Sequence, residues 1–322
     1  DIADRVAVMQ QGEIVEAGKV DEVLNTPKHP FTQSLIAAIP KLKPRAARTR
    51  SEETILEAKG INKTFGGGKS FLGFGKSVNA FKAVRKVSFD LRRGETLGIV
   101  GESGSGKSTL ARCIIRLIQS DAGKIFLDGV DLMQLNRNSM RLVRSKIQMV
   151  FQDPFASLNP RIKVGDIIAQ GPEIQGLTKV EAEGRARELI SIVGLDDKAY
   201  NRFPHEFSGG QRQRIGIARS LAVKPEILIA DEPVSALDVS IQAQILNLLD
   251  QIRTQMNLAM IFITHDLRVA AQVCDRLAVM RYGEVVEAGS TSELFASPQH
   301  DYTQSLLAAV PGKAWQEGVF TN

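Results

Sequence analysis

One segment constrains the fold more than any other: Gly101-Glu-Ser-Gly-Ser-Gly106-Lys107-Ser108-Thr109. It follows the apolar run Glu95 to Val100 and precedes Leu110, Ala111, Ile114, Ile115, Leu117 and Ile118, which recur at helical spacing. Strand, Gly-rich loop and helix in that order form the context in which G-x-x-x-x-G-K-S is a phosphate-binding loop rather than a turn. Glycines let backbone N–H groups close around phosphates, and the helix N-terminus adds its partial positive charge. Lys107 reaches the β- and γ-phosphates, and the Ser108 hydroxyl can ligate Mg²⁺. The candidate nucleotide contacts are thus Gly101, Glu102, Ser103, Gly104, Ser105, Gly106, Lys107, Ser108 and Thr109.

A nucleoside triphosphate needs a second group of residues, and Ile227-Leu-Ile-Ala-Asp231-Glu232-Pro233 supplies it. A buried strand ending in two adjacent carboxylates puts one on each side of the strand's end. Asp231 is placed to hold Mg²⁺ through water, and Glu232 to face the γ-phosphate and polarise the attacking water as general base. Phe207-Ser208-Gly209-Gly210-Gln211 opens a further helix, so it too offers exposed backbone N–H groups to an anion. One triphosphate fills two distant helix N-termini only if they are brought face to face.

Composition sets the broad class. The chain has 322 residues, 43% hydrophobic and 24% charged, which is globular usage at a length of about two domains. No run of 18 or more apolar residues occurs, so no segment here is a transmembrane helix. Two cysteines, Cys113 and Cys274, are too few for a disulfide framework or an iron–sulfur cluster, which fits a reducing cytoplasm. Lys plus Arg exceeds Asp plus Glu by 41 − 36 = 5, an excess compatible with several anionic partners and decisive for none.

The chain also repeats itself. Asp4 to Pro40 aligns without a gap on Asp275 to Pro311 at a constant offset of 275 − 4 = 271, with 21 of 37 positions identical. The second copy closes a complete unit, whereas only three residues precede the first. Residues 1–44 therefore read as the C-terminal remnant of a preceding unit, and the chain as the second half of a tandem protein. A 40-residue piece serving as its own domain would struggle to bury a core. Lys41 to Glu53 is basic around Pro44 with almost nothing apolar, and reads as a solvated linker centred on residues 45–53. No aromatics interleave with its charges to stack bases, so no nucleic-acid partner is expected.

At this point the sequence resembles the ATP-binding cassette (ABC) ATPases, over Ile55 to Pro311. The family's motifs stand in order: the phosphate loop, Gln152 in Val150-Phe-Gln-Asp-Pro154, the signature Ser208 to Gln211, the Asp231/Glu232 strand, Asp238 in Ser235-Ala-Leu-Asp238, and His265 in Ile263-Thr-His-Asp266. The resemblance implies an α/β fold: a P-loop NTPase (RecA-like) core with an antiparallel β-subdomain and a helical subdomain at about 154–222, all within residues 54–296. It implies that ATP lies between two cassettes, the phosphate loop of one against Ser208, Gly209, Gly210 and Gln211 of the other. Gln152 then senses Mg²⁺ and the attacking water, His265 contacts the γ-phosphate, and Asp238 couples the two sites. Lys107, Gln152, Glu232 and His265 form the implied catalytic set, and Ser108, Gln152 and Asp231 the Mg²⁺ set. Phe65 matches the aromatic on which the family stacks adenine, with Phe81 as competitor. Phe207 stands where the family usually has leucine, a conservative change.

Phe151 to Arg161, Pro204 to Gly210 and the ending Pro298-x-His300-x-Tyr302-Thr-Gln-Ser-Leu look like the dipeptide and oligopeptide branch of bacterial importers, which includes relatives for nickel, glutathione and peptide antibiotics. Residues 297–322 form the implied C-terminal extension. The implied partners are a second cassette, two membrane permease subunits whose short helices enter a groove of the helical subdomain, and indirectly a solute-binding protein. The implied site of action is the cytoplasmic face of the bacterial inner membrane, and the implied reaction is ATP hydrolysis coupled to import. Within the Gly-rich loop after Gly66, Phe71, Leu72 and Phe74 read as a mobile insertion. The rival class, a soluble tandem cassette protein acting on the ribosome or nucleic acid, calls for a long charged helical linker. Here only about 14 residues separate Pro40 from Ile55.

Overall fold

The computed structural model describes residues 3–40, 42–46, 48, 51–66 and 80–310, the side chains of Pro154 and Phe155 excepted. Phe71, Leu72, Phe74 and the end of the C-terminal extension lie outside the described residues. In chain order the strands are β1 (Arg5–Gln10), β2 (Glu13–Lys19), β3 (Thr54–Phe65), β4 (Phe81–Arg92), β5 (Thr96–Val100) and β6 (Ala122–Leu127). They continue with β7 (Val130–Asp131), β8 (Ile147–Val150), β9 (Ile227–Asp231), β10 (Ala259–Thr264), β11 (Arg276–Arg281) and β12 (Glu284–Ser290).

Six of them form the central sheet in the order β12-β11-β5-β10-β9-β8, parallel throughout except for the antiparallel edge strand β12. β5, β9 and β10 are buried along their whole length, which is why they read as continuous apolar runs rather than alternating ones. Their side chains alternate between two cores. Ile227, Ile229, Ile261 and Ile263 pack with the phosphate-loop helix Lys107–Ile114 and the antiparallel sheet β4-β3-β6-β7. Leu228, Ala230, Met260 and Phe262 pack toward the helices Val164–Ile174, Lys179–Ile192 and Gly209–Leu221.

Ligands in open parallel sheets gather beyond the carboxyl ends of the strands. Here the four neighbouring strands β5, β10, β9 and β8 end, respectively, at the phosphate loop, at Thr264 before His265, at Asp231 before Glu232, and at Val150 before Gln152. Motifs scattered over more than 160 residues are thereby brought to one rim of one sheet.

The sequence repeat is a structural repeat with the same offset. β1, β2 and the helices Val20–Asn25 and Pro30–Ala38 correspond to β11, β12 and the helices Thr291–Ala296 and Asp301–Ala308. The pairing register agrees residue for residue, including the irregularity between Val8 and Met9 and between Val279 and Met280. Burial differs. β11 continues into the central sheet and Met280 is 0% exposed, whereas among the described residues β1 pairs with β2 alone and Met9 is 59% exposed.

The segment read as a solvated linker is not free in solvent. The Arg45 N–H donates to the Ala271 carbonyl, and its guanidinium reaches Asp250 at 3.2 Å and the Val273 carbonyl at 3.1 Å. Arg48 approaches Asp250 at 3.1 Å and Asp275 at 3.7 Å. Basic residues without apolar neighbours suggested solvation because the acidic partners lie some 200 positions away in the chain, where composition cannot show them.

Candidate nucleotide site

The phosphate loop is shaped by positions that admit no side chain. A Cβ on Gly101, at φ +148°, would stand 2.2 Å from the Met280 carbonyl oxygen, and one on Gly106, at φ +103°, 2.1 Å from that of Ala83. The loop borders a cavity of about 540 Å³ lined by Glu102, Ser103, Gly104, Gly106, Lys107, Ser108 and Thr109, by Phe81 and Ala83, by Leu306, and by Gln152, Glu232 and His265. Gly101 and Ser105 lie beneath the loop rather than on its surface. Ser105 is 5% exposed, and its carbonyl accepts from the Gly283 N–H at 3.0 Å.

Lys107 is buried and donates from Nζ to the carbonyls of Gly101 (2.7 Å) and Glu102 (2.8 Å). Burial pushes its ammonium below the usual lysine range, while the Glu232, Asp231 and Glu102 charges pull it back up. The Ser108 hydroxyl donates to Asp231 Oδ1 at 2.9 Å. Burial pushes the Asp231 carboxyl up, opposed by the Ser108 hydrogen bond and the positive charge of Arg112.

Glu232 is held from two sides. Gln152 Nε2 donates to Oε2 at 3.0 Å, and His265 Nδ1 stands 3.3 Å from Oε1. The backbone of Glu232 is left-handed at φ +45°, unusual for a residue with a Cβ and common where function requires it. Its N–H donates to the Ile263 carbonyl at 2.9 Å, tying the end of β9 to the end of β10. The turn swings the carboxylate out of the strand while Asp231 stays inside it. Gln152, 80 positions before it in sequence, and His265, 265 − 232 = 33 positions after it, thus meet at one carboxylate.

The residues fit a hard divalent cation. A hydroxyl and a carboxylate in mutual contact are oxygen donors of the kind Mg²⁺ takes. Among the described residues no group of three or more His, Cys, Asp or Glu side chains could hold a metal. An ion held by Ser108 and Asp231 would keep waters and take the rest of its shell from substrate phosphates.

Phe65 and the signature residues Ser208 to Gln211 lie outside the lining of this cavity. Phe65 pairs directly with Phe81 across β3 and β4, yet only Phe81 lines the cavity. The Phe65 ring carries the Lys63 ammonium 5.5 Å from its centroid instead. The signature lies apart from the phosphate loop. Ser208 caps the helix Gly209–Leu221 in a reciprocal box with Gln211, and Gly210 is packed so closely that a Cβ would lie 2.4 Å from Ile241. Gly209 lines a second cavity of about 260 Å³ that shares Gln152 and Glu232 with the first. Asp238 is exposed at the N-terminus of the helix Val239–Gln255, with no capping bond from its side chain.

Leu306 and Tyr302, on the helix Asp301–Ala308, reach the site without having been expected there. Leu306 lines the cavity, and the Glu102 N–H donates to Tyr302 Oη at 3.2 Å. The sequence marked both residues as part of a repeated ending but carried no sign that the ending returns to the phosphate loop. A separate groove of about 970 Å³ runs between the central sheet and the helical subdomain, with Leu117, Leu142 and Ile174 exposed along it.

Comparison with known proteins agrees with this geometry. Residues 84–235 match the family described as ABC transporter, and residues 15–73 and 286–317 match the oligopeptide/dipeptide transporter C-terminal region. The glutathione import ATP-binding protein GsiA of Escherichia coli (strain K12) is 45% identical over 335 residues, covering 97% of this chain and 54% of that protein. Its counterpart in Salmonella typhimurium (strain LT2) is 43% identical over 337 residues with the same coverage. The chain thus spans about half the length of the curated relatives it matches. Among solved structures, the dimeric ATP-binding cassette MJ0796, bound to ADP and Pi in a post-hydrolysis state, superposes with a TM-score of 0.64 at 29% identity, covering 73% of this chain and 98% of that one. CbiO1 from Clostridium perfringens, part of an ABC transporter complex, gives 0.65 at 27% identity, covering 76% and 92%. The chain belongs to the ATP-binding cassette (ABC) transporter ATPases and carries the C-terminal region of the oligopeptide/dipeptide transporters.

Proposed function

We propose that this chain hydrolyses ATP, with Mg²⁺, to power import of peptides or related small solutes through a membrane transporter. The observation that carries the chemistry is the clamp on Glu232, whose carboxylate is held by Gln152 and His265 at the mouth of the phosphate loop. Glu232 takes the proton of the attacking water, Gln152 and His265 fix its orientation, and Lys107 with the loop N–H groups holds the phosphates. Mg²⁺, bound beside Ser108 and Asp231, would neutralise the charge on the transferring phosphate oxygens. Adenine stacks on Phe81, the aromatic that lines the cavity.

Ser208 to Gln211 belong to the nucleotide of a second cassette. Their separation from this chain's own phosphate loop and their capped, anion-ready helix start favour a head-to-tail pair, as does the dimeric state of MJ0796. Residues 1–44 belong to a preceding copy in the same polypeptide. The unpaired edge of β1 and the exposed Met9 and Ile14 fit a hairpin whose central sheet lies in that copy. The groove between sheet and helical subdomain receives a short helix of a permease subunit, its exposed Leu142 and Ile174 offering apolar contact. Such a chain works at the cytoplasmic face of the membrane as a peripheral subunit. Among the described residues no helix is long and apolar enough to cross one.

Reconstitution with a companion cassette and the membrane subunits tests this, with phosphate release and solute accumulation as the two readouts. ATP-dependent accumulation of a peptide-like solute is expected. Turnover without accumulation of any peptide-like solute would overturn the import half, and absence of turnover the whole.

A further inference from the structure

The peptide unit between Gly101 and Glu102 is bonded at both ends. Its carbonyl accepts from Lys107 Nζ at 2.7 Å, and its N–H donates to Tyr302 Oη at 3.2 Å. Lys107 is the cation of the phosphate loop; Tyr302 lies 200 residues later, in the C-terminal region that distinguishes this branch from a bare cassette.

Tyr302 is aimed by a chain of contacts that begins in the central sheet. Glu287 on β12 accepts from the Gln299 N–H at 2.7 Å and the His300 N–H at 3.2 Å, one oxygen to each. His300 Nδ1 in turn accepts from the Tyr302 N–H at 3.1 Å and caps the helix Asp301–Ala308. The Arg281 guanidinium lies 4.6 Å from the Tyr302 ring centroid and fixes the ring, which is 5% exposed. Glu287, His300 and Tyr302 thus form a bracket whose tip is one hydroxyl.

We propose that Tyr302 is a positioning residue for the nucleotide, a clasp by which the C-terminal region holds the entry limb of the phosphate loop. This inference rests on the nucleotide site described above. Its logic is local. Fixing the Gly101–Glu102 peptide fixes the carbonyl on which Lys107 rests, and it leaves the later N–H groups of the loop aimed at phosphate. The same helix lines the cavity through Leu306, so the C-terminal region touches the site at two points.

The repeat supplies an internal control. In the first copy Glu16 accepts from the N–H groups of Lys28 and His29 at 2.8 and 3.1 Å, and His29 Nδ1 from the Phe31 N–H at 3.2 Å. The bracket is complete, but its tip is Phe31, which has no hydroxyl to accept from a backbone N–H. The clasp is therefore a property of the second copy, and the first performs the same fold without it.

Tyr302→Phe removes the hydroxyl and keeps the ring under Arg281. ATP affinity, measured by calorimetry on the full chain, is expected to fall about three- to tenfold, the range for losing one hydrogen bond to a positioned group. The melting midpoint should stay within about 2 °C, because the amide freed lies beside a solvated cavity. Hydrogen exchange should quicken in the phosphate-loop peptide and not in the helix Asp301–Ala308. Phe31→Tyr, which puts a hydroxyl on the first copy's bracket outside the cavity lining, should change none of these. Equal affinity and equal loop exchange in Tyr302→Phe and the unaltered chain overturn the clasp while leaving the nucleotide site standing. Failure of the unaltered chain to bind ATP overturns both.

Discussion

Arg276 on β11 donates both ends of its guanidinium to Asp90 on β4, at 3.0 Å each, and so fastens the parallel sheet to the antiparallel one. The Arg276 head also leans on Glu95, which is 0% exposed, at 3.3 Å. A bidentate pair of this kind is directional and charge-assisted. The hydrogen bonds from Arg276 hold the Asp90 carboxyl below the ordinary range, outweighing its partial burial.

A folded value lowered in this way contributes stability that is complete above the unfolded value of about 3.9 and is lost as pH falls through the folded value. Acid should therefore loosen the seam between the sheets. Melting midpoints recorded from pH 6 to pH 2.5 are expected to fall more steeply in the unaltered chain than in Asp90→Asn, which has no proton to take up. Parallel curves would show that this pair does not govern the acid limb.

The Glu232 clamp predicts a separation of binding from turnover. Glu232→Gln keeps the size of the side chain but cannot take a proton from water. Phosphate release should drop by about 10²- to 10⁴-fold, the usual contribution of a general base, while ATP still binds. Undiminished release would assign the base elsewhere. Lys107→Ala, by contrast, should weaken ATP binding itself, because the buried ammonium is the loop's own positive charge. Unchanged affinity by calorimetry would count against that role.

Cys113 and Cys274 are both free and both 0% exposed. Burial pushes the Cys113 thiol up to about 11 and the Cys274 thiol further still. At pH 8 almost none of either is thiolate, the reactive form. Neither should react with an aromatic disulfide reagent in the folded chain within an hour, and both should react once denaturant is added. Rapid labelling of one thiol under native conditions would mean that its core opens readily.

Much of the site was legible because its chemistry is carried by local motifs. Gly101 to Thr109 and Asp231–Glu232 each announce a backbone shape and a charge pattern in a few consecutive residues. The apolar runs before both motifs marked buried strands, whereas the meeting of four strand ends at one rim is set by pairing between distant segments. The remainder depends on contacts between distant residues. Arg45 and Arg48 looked solvated because Asp250 lies more than 200 positions away. The resemblance put Phe65 ahead of Phe81, and the two residues pair across β3 and β4, yet it is Phe81 that meets the cavity. Tyr302 belonged to a recognisable ending, yet its partner is a backbone N–H, and backbone groups leave no trace in side-chain patterns.

Two helical glycines in the helical subdomain offer opposite tests of its packing. Gly165 lies in the buried face of the helix Val164–Ile174, where a Cβ would come within 2.3 Å of the Tyr200 ring. That ring is itself held, with the Arg187 guanidinium 4.4 Å from its centroid, so it cannot simply move aside. Gly165→Ala should destabilise the chain by about 1–3 kcal/mol, as overpacking does. Gly184 occupies the middle of the helix Lys179–Ile192 with nothing within 4 Å of a Cβ, so Gly184→Ala gains helix propensity at no steric cost. Stabilisation of about 0.5–1 kcal/mol is expected there. Urea midpoints of the two variants should thus move in opposite directions. Because the helix Gly209–Leu221 packs against both of these helices, Gly165→Ala should also disturb the start of the signature, and Gly184→Ala should not. If both shifts had the same sign, the close approach of Tyr200 to the helix Val164–Ile174 would not hold in solution.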